Sequence, residues 1–294
     1  MGESKLPMIF IAIASLVNLV LALVFVALLH MSAAGAALAT VMAQGVSFVT
    51  SLVYLYRNRD RFGFDFKLRS FKPVAERLIP ICKLGIPYIA QCLMITCSMM
   101  YVNAQVNVFG VTASAVDSIG NKLNSVVNIV IGAISMASAT MVGQCFGARK
   151  LDRVKQCCRA CTAVCMVAFV VIGGAYLLFS EQIFRLFSAD EAVIAMAPKY
   201  MVIAVVWVAS IATMTAPYSV VDGVGHAMLG LVISLMDGVI ARIGLCVILG
   251  KVIGLEGYWL GNALAGFVST LMAGGYYLSG RWKDRQPLLQ KKGD

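Results

Sequence analysis

The chain is poor in charged residues, and this scarcity excludes most soluble folds. Only 13% of its 294 residues are Asp, Glu, Lys or Arg, whereas 60% are hydrophobic. Soluble domains carry roughly a quarter of charged residues, so the composition is typical of a membrane protein. The only two histidines, His30 and His226, lie at opposite ends of hydrophobic runs and cannot cooperate in catalysis.

The sequence also lacks the motifs of common enzymes and of ATP-driven transport. It contains no Walker A motif, no H-E-x-x-H motif, no Ser/His/Asp set and no two carboxylates at one predicted depth. We therefore expect neither an enzyme nor direct ATP drive within this chain. The loop Asp222-Gly-Val-Gly-His226 lacks the pattern that follows the glycines of a phosphate-binding loop, so it indicates a tight turn.

Nine cysteines are present without the histidines that often complete a metal site. Four of them lie close together in the sequence, at Cys157, Cys158, Cys161 and Cys165. Three recur at helical spacing, which favours small apolar side chains packed on one helix face. Metal ligation would need a closed geometry of four ligands that one helix cannot readily supply. The pattern predicts neither a metal site nor a disulfide.

Long hydrophobic runs dominate the rest of the sequence. A helix needs about 20 apolar residues to cross the hydrocarbon core. Eight runs reach this length, at residues 8–29, 33–56, 84–109, 118–142, 160–180, 200–221, 228–250 and 257–278. The first run lacks the basic start and the cleavage point of a signal peptide. The prediction is an all-α polytopic membrane protein with eight transmembrane helices.

The net charge of +10 is distributed unevenly along the chain. With the N-terminus inside, the cytoplasmic segments hold 19 Lys and Arg residues and the outer segments hold three: Arg185, Lys199 and Lys251. The positive-inside rule then predicts that both termini are cytoplasmic. The basic surplus would face anionic membrane lipid. No basic face interleaved with aromatic residues is present, so nucleic acid is not an expected partner.

The first two predicted spans resemble the last two, which indicates an internal repeat. Within each span the matching residues keep a constant offset: Ser15, Asn18 and Ala22 match Ser234, Asp237 and Ala241, and Gly35, Leu38 and Thr40 match Gly257, Leu260 and Asn262. Many secondary transporters are built from such repeats, with substrate sites near the midplane between them. Chance similarity between two apolar hairpins is the alternative.

The repeat predicts how the chain is divided. Residues 1–56 would form the last two helices of an N-terminal lobe, and residues 57–83 a basic cytoplasmic linker. Residues 84–280 would form a six-helix C-terminal lobe, followed by a basic cytoplasmic tail at 281–294. If each lobe holds six helices, four further helices are expected before the first.

An acidic and a basic residue, Asp237 and Arg242, interrupt the apolar run 228–250. An ionised side chain at bilayer depth is costly, so such residues usually mark a functional site. Five residues correspond to about 140° around an α-helix, so we expect no direct pair between these two. The predicted partner of Asp237 lies on another helix, with Asn262 or the amides of the fourth span as the nearest choices.

Polar side chains form stripes on two other spans. Asn121, Asn124 and Asn128 share about a third of the circumference of the fourth helix, and Gln91 lies on the third span with Met94 beside it. Such stripes either line a cavity or join helices by hydrogen bonds, and the sequence leaves both open. Near the outer end of the fourth span, Asp117 and Lys122 are interpreted as snorkelling side chains.

Several segments resemble the multidrug and toxic compound extrusion (MATE) family. They are Gly85-Ile-Pro87, Asp117-Ser-Ile-Gly-Asn-Lys122, Val142-Gly-Gln-Cys-Phe-Gly-Ala148 and the segment from Asp237 to Arg242. The resemblance covers essentially the whole chain and aligns it with the last eight of the family's twelve helices. It implies a transporter of the cell inner membrane that exchanges protons or sodium ions for small organic, often cationic, drugs, with no other cofactor.

The resemblance also implies where a coupling ion would bind. One branch of the family uses two carboxylates for coupling, and the corresponding positions of this chain are Ile95 and Ile211. Another branch of the family binds its ion in the N-terminal lobe. Asn18 and Thr40 match two residues of that site, whereas Ala22 stands where the family has an Asp. Asn18 and Thr40 are therefore expected to be remnants of a cation site. The residues predicted to line a substrate cavity are Gln91, Met94, Asn121, Asn124, Asn128, Asp237, Arg242 and Asn262.

Two alternatives to drug export remain at this stage. One is a fragment that does not transport, or a half that needs a partner chain carrying the four absent helices. The other is a flippase for lipid-linked sugars from the same superfamily, which would need a more cationic cavity than Lys122 and Arg242 provide.

Overall fold

The computed structural model describes residues 5–59 and 75–285, and these residues form long helices joined by short turns. The predicted all-α class is confirmed, since the described residues contain no strand. The chain divides into two compact units, Met1–Val74 and Ala75–Asp294. Most of the predicted basic linker, residues 60–74, and most of the tail, residues 286–294, lie outside the described residues.

The first unit is a pair of packed helices. Helix α1 spans Lys5–Ala22 and continues as a π-helix over Leu23–Leu28, and α2 spans Ser32–Arg57. The buried residues of α2 are small and four apart: Gly35, Ala39 and Ala43. Small residues at this spacing let two membrane helices approach closely, because no side chain holds their backbones apart.

The second unit holds the longer helices. Its elements, in chain order, are α3 (Ala75–Asn107), α4 (Val111–Gly147), α5 (Leu151–Leu178), the short α6 (Ser180–Arg185), α7 (Glu191–Gly223), α8 (Ala227–Leu235), a π-helix (Met236–Ala241), α9 (Arg242–Ile253), α10 (Leu255–Leu278) and a 3₁₀ turn (Arg281–Asp284). Helix α3 begins at Ala75, inside the predicted linker rather than at residue 84.

Helix α7 lies at the centre of the second unit. It packs against α4, α5 and α10, and it has buried residues along its whole length, from Val193 to Val221. A helix that is hydrophobic along most of its surface packs among other helices or spans a membrane. Its few polar residues, among them Tyr200, Tyr218 and Asp222, line cavities together with residues of the surrounding helices.

Seven of the described helical segments are long and apolar enough to cross a membrane. They correspond to the first seven predicted runs. The eighth predicted run coincides with α10, which has 24 residues but is not among the seven. Helix α10 carries Glu256, Asn262 and several glycines, which lower its hydropathy. Its side toward α9 consists of small residues, so it packs as an inner helix.

The predicted tight turn after α7 is confirmed. The backbone N–H of Gly225 donates to the carbonyl oxygen of Asp222 at 2.9 Å, and that of His226 donates to Val221 at 3.0 Å. Gly225 has a φ of +71°, a left-handed conformation that glycine adopts without a steric penalty. The turn brings the end of α7 next to the start of α8.

Candidate functional site

Asp237 and Arg242 form a direct ion pair in the middle of the second unit. An Nη2 atom of Arg242 lies 3.4 Å from Oδ1 of Asp237, and each residue is only 7% exposed. The prediction that this pair could not form was wrong. Asp237 lies in the π-helix Met236–Ala241, where the N–H of Arg242 donates to the carbonyl oxygen of Asp237. In a π-helix hydrogen bonds join residues five apart, which brings their side chains to the same face.

The remaining polar atoms of the pair contact neighbouring helices. Ser269 of α10 donates to Oδ2 of Asp237 at 2.9 Å. Asn262 accepts from Nη1 of Arg242 at 2.9 Å, and the sulfur of Met99 accepts from the same nitrogen at 3.1 Å. The predicted partner on another helix therefore exists, but it is Ser269, whereas Asn262 binds Arg242. A paired and hydrogen-bonded charge can stay ionised in an apolar interior.

The internal repeat does not extend to these hydrogen bonds. In the first unit, Asn18 donates to Thr40 at 3.1 Å, so the two predicted remnants of a cation site do lie together. Their repeat mates, Asp237 and Asn262, are instead linked through Arg242, which donates a hydrogen bond to each. Asn18 and Thr40 line an open cavity of about 360 Å³ together with Ser15, Gln44 and Ser47.

Asp237 also forms part of the wall of a larger open cavity in the second unit, here called the main cavity. Its volume is about 680 Å³, within the range of small-molecule sites. Its polar lining comes from α3, α4, α7, α8, α10 and the π-helix: Tyr88, Gln91, Asn128, Ser135, Tyr218, Asp222, Ser234, Asp237 and Ser269. Apolar residues, among them Ile95, Met136 and Met214, complete it.

Gln91 is a buried and fully engaged residue of this cavity. Its amide nitrogen donates to the carbonyl oxygen of Ala227 at 3.3 Å, and its oxygen accepts from the hydroxyl of Tyr218 at 3.1 Å. A Cβ atom at Gly230 would lie 2.9 Å from the Gln91 nitrogen, so a larger residue there would displace the Gln91 amide. Gln91 therefore joins α3, α7 and α8 and orients Tyr218 toward the cavity.

Asp222 is the free carboxylate of the main cavity. Within the described part of the chain it makes no ion pair or side-chain hydrogen bond, and it is exposed at the end of α7. It also lines an adjoining cavity of about 490 Å³ with His226. Burial lowers the pKa of His226, and the charge of Arg285 lowers it further, so the imidazole is neutral at pH 7. Asp222 was not among the predicted site residues.

The asparagine stripe of α4 is divided between two places. Asn128 is exposed and lines the main cavity. Asn121 and Asn124 are half-buried and line a separate small cavity with Asp117. Asn124 also donates to the hydroxyl of Tyr200 on α7 at 3.4 Å. The stripe therefore both lines cavities and joins helices by a hydrogen bond.

Asp117 is not a snorkelling side chain. Its carboxylate accepts from the indole nitrogen of Trp259 at 3.1 Å and from the amide of Asn121 at 3.0 Å. These bonds hold it inside the helix bundle, so that interpretation was wrong for Asp117. Lys122, in contrast, is exposed, and its ammonium lies 5.9 Å from the ring centre of Phe187.

The other predicted positions have simpler surroundings. Met94 is half-buried on α3 and is not among the lining residues of the cavities described above. Ile95, one of the two positions where the resemblance would place a carboxylate, lines the main cavity, whereas Ile211 packs against the core. An isoleucine at both positions leaves Asp222 and Asp237 as the acidic residues of the main cavity's lining.

The clustered cysteines of α5 pack in the protein core, as their spacing predicts. Cys158, Cys161 and Cys165 are buried among apolar side chains. Among the described residues, no group of three or more His, Cys, Asp and Glu side chains is arranged to hold a metal ion.

The divided stripe predicts a difference in chemical accessibility. In a background without the nine native cysteines, Asn128→Cys should react with a membrane-impermeant thiol reagent about tenfold or more faster than Val127→Cys, because thiol reactivity follows exposure. Val127 is 2% exposed and lies one residue away on the same helix. The measurement is the modification rate of each purified variant. Equal rates at the two positions would contradict the assignment of Asn128 to the main cavity.

This chain is similar to known proteins in both sequence and fold. A family model described as MatE matches residues 87–248. Two relatives from Bacillus subtilis (strain 168) are the probable multidrug resistance proteins YpnP and YoeA. They are 28% and 26% identical over 99% and 97% of this chain. The chain spans 64% of the length of YpnP and 63% of that of YoeA.

Solved structures share the fold. The Vibrio cholerae MATE transporter VcmN in its bent form matches with a TM-score of 0.83, at 19% identity, over 96% of this chain and 64% of that one. A MOP superfamily transporter from Pyrococcus furiosus matches with a TM-score of 0.85, at 20% identity, over 95% of this chain and 63% of that one.

Proposed function

Because this chain belongs to the MatE family, we propose that it functions in secondary active efflux, exporting small organic cations or drugs in exchange for protons or sodium ions. The observation that carries the proposal is the main cavity, an open space of about 680 Å³ with the unpaired carboxylate of Asp222 at the end of α7. The names of YpnP and YoeA as probable multidrug resistance proteins support it.

The electrostatics of the main cavity favour a cationic substrate. Arg242 neutralises Asp237, whereas Asp222 has no positive partner within the described residues, and the nearby His226 is neutral at pH 7. The charge left in the cavity is therefore negative. Tyr88 and Tyr218 also line this cavity, and aromatic faces attract cations that have lost part of their water.

The apolar lining fits substrates of varied shape. Met136 and Met214 are among the apolar residues that line the cavity. Methionine side chains are flexible and polarisable, so they can repack around different ligands. A cavity with one fixed charge and an adaptable apolar surface would bind a class of cations rather than a single compound.

The same cavity charge argues against flipping of lipid-linked sugars. Such substrates carry phosphate groups, which a negative cavity would repel, whereas the guanidinium of Arg242 is already bound by Asp237 and Asn262. We therefore retain cation export as the proposal.

We propose the cell inner membrane as the location, with both termini cytoplasmic. The seven apolar helices support insertion into a membrane. Lys and Arg residues are concentrated between residues 57 and 83, between residues 149 and 159, and after residue 280. This distribution supports the orientation, because basic loops are retained on the cytoplasmic side. In this orientation Asp222 lies at the cytoplasmic end of α7, where a substrate would enter from the cell interior.

We propose further that export requires four additional helices. The chain spans 64% of YpnP, and the resemblance aligns it with the last eight of twelve helices. The transport assay therefore has two arms, this chain alone and this chain co-expressed with the part of YpnP that it does not match. Export in the second arm alone would identify the chain as part of a larger transporter.

Asp222→Asn should reduce ethidium efflux about tenfold. Removing a carboxylate from a partly desolvated site weakens the binding of a cation, and the affinity should fall by about the same factor. Efflux is measured from preloaded cells of a bacterial strain that lacks its own multidrug pumps, in whichever arm is active. Asp222→Glu should retain most of the activity.

Asp152→Asn is the matched control, because Asp152 is an exposed carboxylate at the start of α5, far from the cavity lining. It should leave efflux unchanged at equal protein level. Undiminished efflux by the Asp222→Asn variant would refute the role of Asp222, and absence of efflux in both arms would refute the proposed function.

A further inference from the structure

A second polar cavity lies between α3, α4, α7 and α10, and it shares no lining residue with the main cavity. This Asp117 cavity is lined by Asn103, Asp117, Asn121, Asn124, Tyr200 and Asn262, with Trp259 at its side. Its volume is about 20 Å³, which is enough for one particle of the size of a water molecule. Its polar groups are almost all oxygen-bearing side chains.

The carboxylate in this cavity is held in place without being neutralised. Trp259 and Asn121 donate one hydrogen bond each to its two oxygens, at 3.1 and 3.0 Å, and neither donor is charged. Packing fixes this geometry, since the rings of Trp259 and Tyr200 meet edge to face with centres 5.0 Å apart. An ionised carboxylate in an apolar bundle is costly unless a positive charge lies beside it.

Three positive side chains close to the cavity lining are engaged elsewhere, and one of them, Lys199, pairs with Glu256 at 3.0 Å. The guanidinium of Arg242 reaches Asn262, at the cavity wall, but its charge is paired with Asp237. Lys122 neighbours Asn121 in sequence, yet its ammonium is exposed and lies over Phe187. The negative charge of Asp117 therefore has no counter-charge from these residues.

One amide oxygen in the cavity also has no partner. Oδ1 of Asn124 is buried and makes no hydrogen bond, whereas the amide nitrogen of the same side chain donates to Tyr200. A buried acceptor left unpaired is destabilising, so such groups often mark a bound water or ion. Here the unpaired oxygen and the carboxylate line the same small space.

We propose that the Asp117 cavity binds a sodium ion. The ligands would be the carboxylate of Asp117 and the amide oxygen of Asn124, with the hydroxyl oxygen of Tyr200 beside them. Hard oxygen ligands suit alkali and alkaline-earth ions rather than transition metals. A single carboxylate balances a single positive charge, whereas a divalent ion would leave an uncompensated charge in the bundle.

This site is distinct from the positions where the resemblance implies coupling carboxylates. Asn103 lies eight residues, or about two helical turns, beyond Ile95 on α3. On α7, Tyr200 lies eleven residues before Ile211. The site nevertheless connects to the main cavity, because Asn262 lines the Asp117 cavity and accepts from Arg242, the partner of Asp237.

The test uses the purified full chain in detergent and sodium chloride as the probe. Trp259 bonds to the proposed ligand, and Trp207 lines the same cavity, so tryptophan fluorescence reports directly on the site. Replacing potassium chloride by sodium chloride at constant ionic strength should give a saturable fluorescence change. Asp117→Asn should weaken sodium binding about tenfold or more, since it removes the only charged ligand, and Asp152→Asn should not.

A second variant keeps the test decisive if Asp117→Asn does not fold. Asn124→Leu removes the unpaired oxygen ligand without adding a charge and should weaken sodium binding about tenfold or more. If the cavity holds only water, neither the native chain nor this variant should show a dependence on sodium.

Absence of a saturable response in the native chain, or an equal response in the Asp117→Asn variant, would overturn the sodium site. The measurement requires no transport, so its outcome is independent of whether the proposed export is observed.

Discussion

Replacing Arg242 with alanine should destabilise the second unit by about 3–5 kcal/mol, which is the usual cost of leaving a buried charge without its partner. Asp237 would keep only the hydrogen bond from Ser269, and the oxygen of Asn262 would lose its donor. The free energy of unfolding can be measured by chemical unfolding of the purified chain in detergent micelles, followed by tryptophan fluorescence.

Arg185→Ala is the matched control for this experiment. Arg185 forms an ion pair with Glu191 at 3.3 Å, but the two side chains are 56% and 74% exposed. An exposed pair contributes about 0–1 kcal/mol, because water screens the charges. The double variant Arg242→Ala with Asp237→Asn should recover part of the loss, since no charge remains buried. Similar losses for Arg242→Ala and Arg185→Ala would show that the buried pair has no special role.

The second large effect is expected at Gly261, where α10 touches α9. A Cβ atom there would lie 2.6 Å from the backbone nitrogen of Cys246 and 2.8 Å from its Cα, and backbone atoms cannot move aside as a side-chain end can. Gly261→Ala should therefore destabilise the protein by about 3 kcal/mol, at the upper end of overpacking effects. The same unfolding measurement detects it.

Gly274→Ala provides the control on the same helix. No atom lies within 4 Å of a Cβ built at Gly274, so only the gain in helix propensity remains. This variant should be neutral or more stable by up to about 1 kcal/mol. If Gly261→Ala also proved neutral, the close approach of α9 and α10 in the structure would be wrong.

Gly261 belongs to a series of small residues that explains the position of Ser269. Every fourth residue of α10 is small and buried, from Gly257 through Gly261 and Ala265 to Ser269 and Ala273. This spacing places them on one face, where they let neighbouring helices approach closely. Ser269 is the polar member of the series, and its hydroxyl reaches Asp237 because no larger side chain separates the two helices.

The sequence alone was sufficient for properties that each segment carries by itself. Hydrophobic length predicted the membrane-length helices, and the glycines of Asp222–His226 predicted the turn that the structure contains. The cost of burying a charge identified Asp237 and Arg242 as a site before their surroundings were known. Each of these inferences depends on a local pattern that holds wherever the segment lies in the fold.

Partners and cavities depended on contacts between distant segments. The π-helix over Met236–Ala241 aligned Asp237 with Arg242, and no residue spacing on an ideal α-helix predicts that pair. The packing of α4 against α7 and α10 enclosed Asp117 and divided the asparagine stripe, although its members share one side of an ideal α-helix. The sequence therefore determined which residues must find polar partners inside a membrane, whereas the tertiary structure decided which partners they have, because hydrogen bonds need atoms about 3 Å apart and only packing fixes such distances.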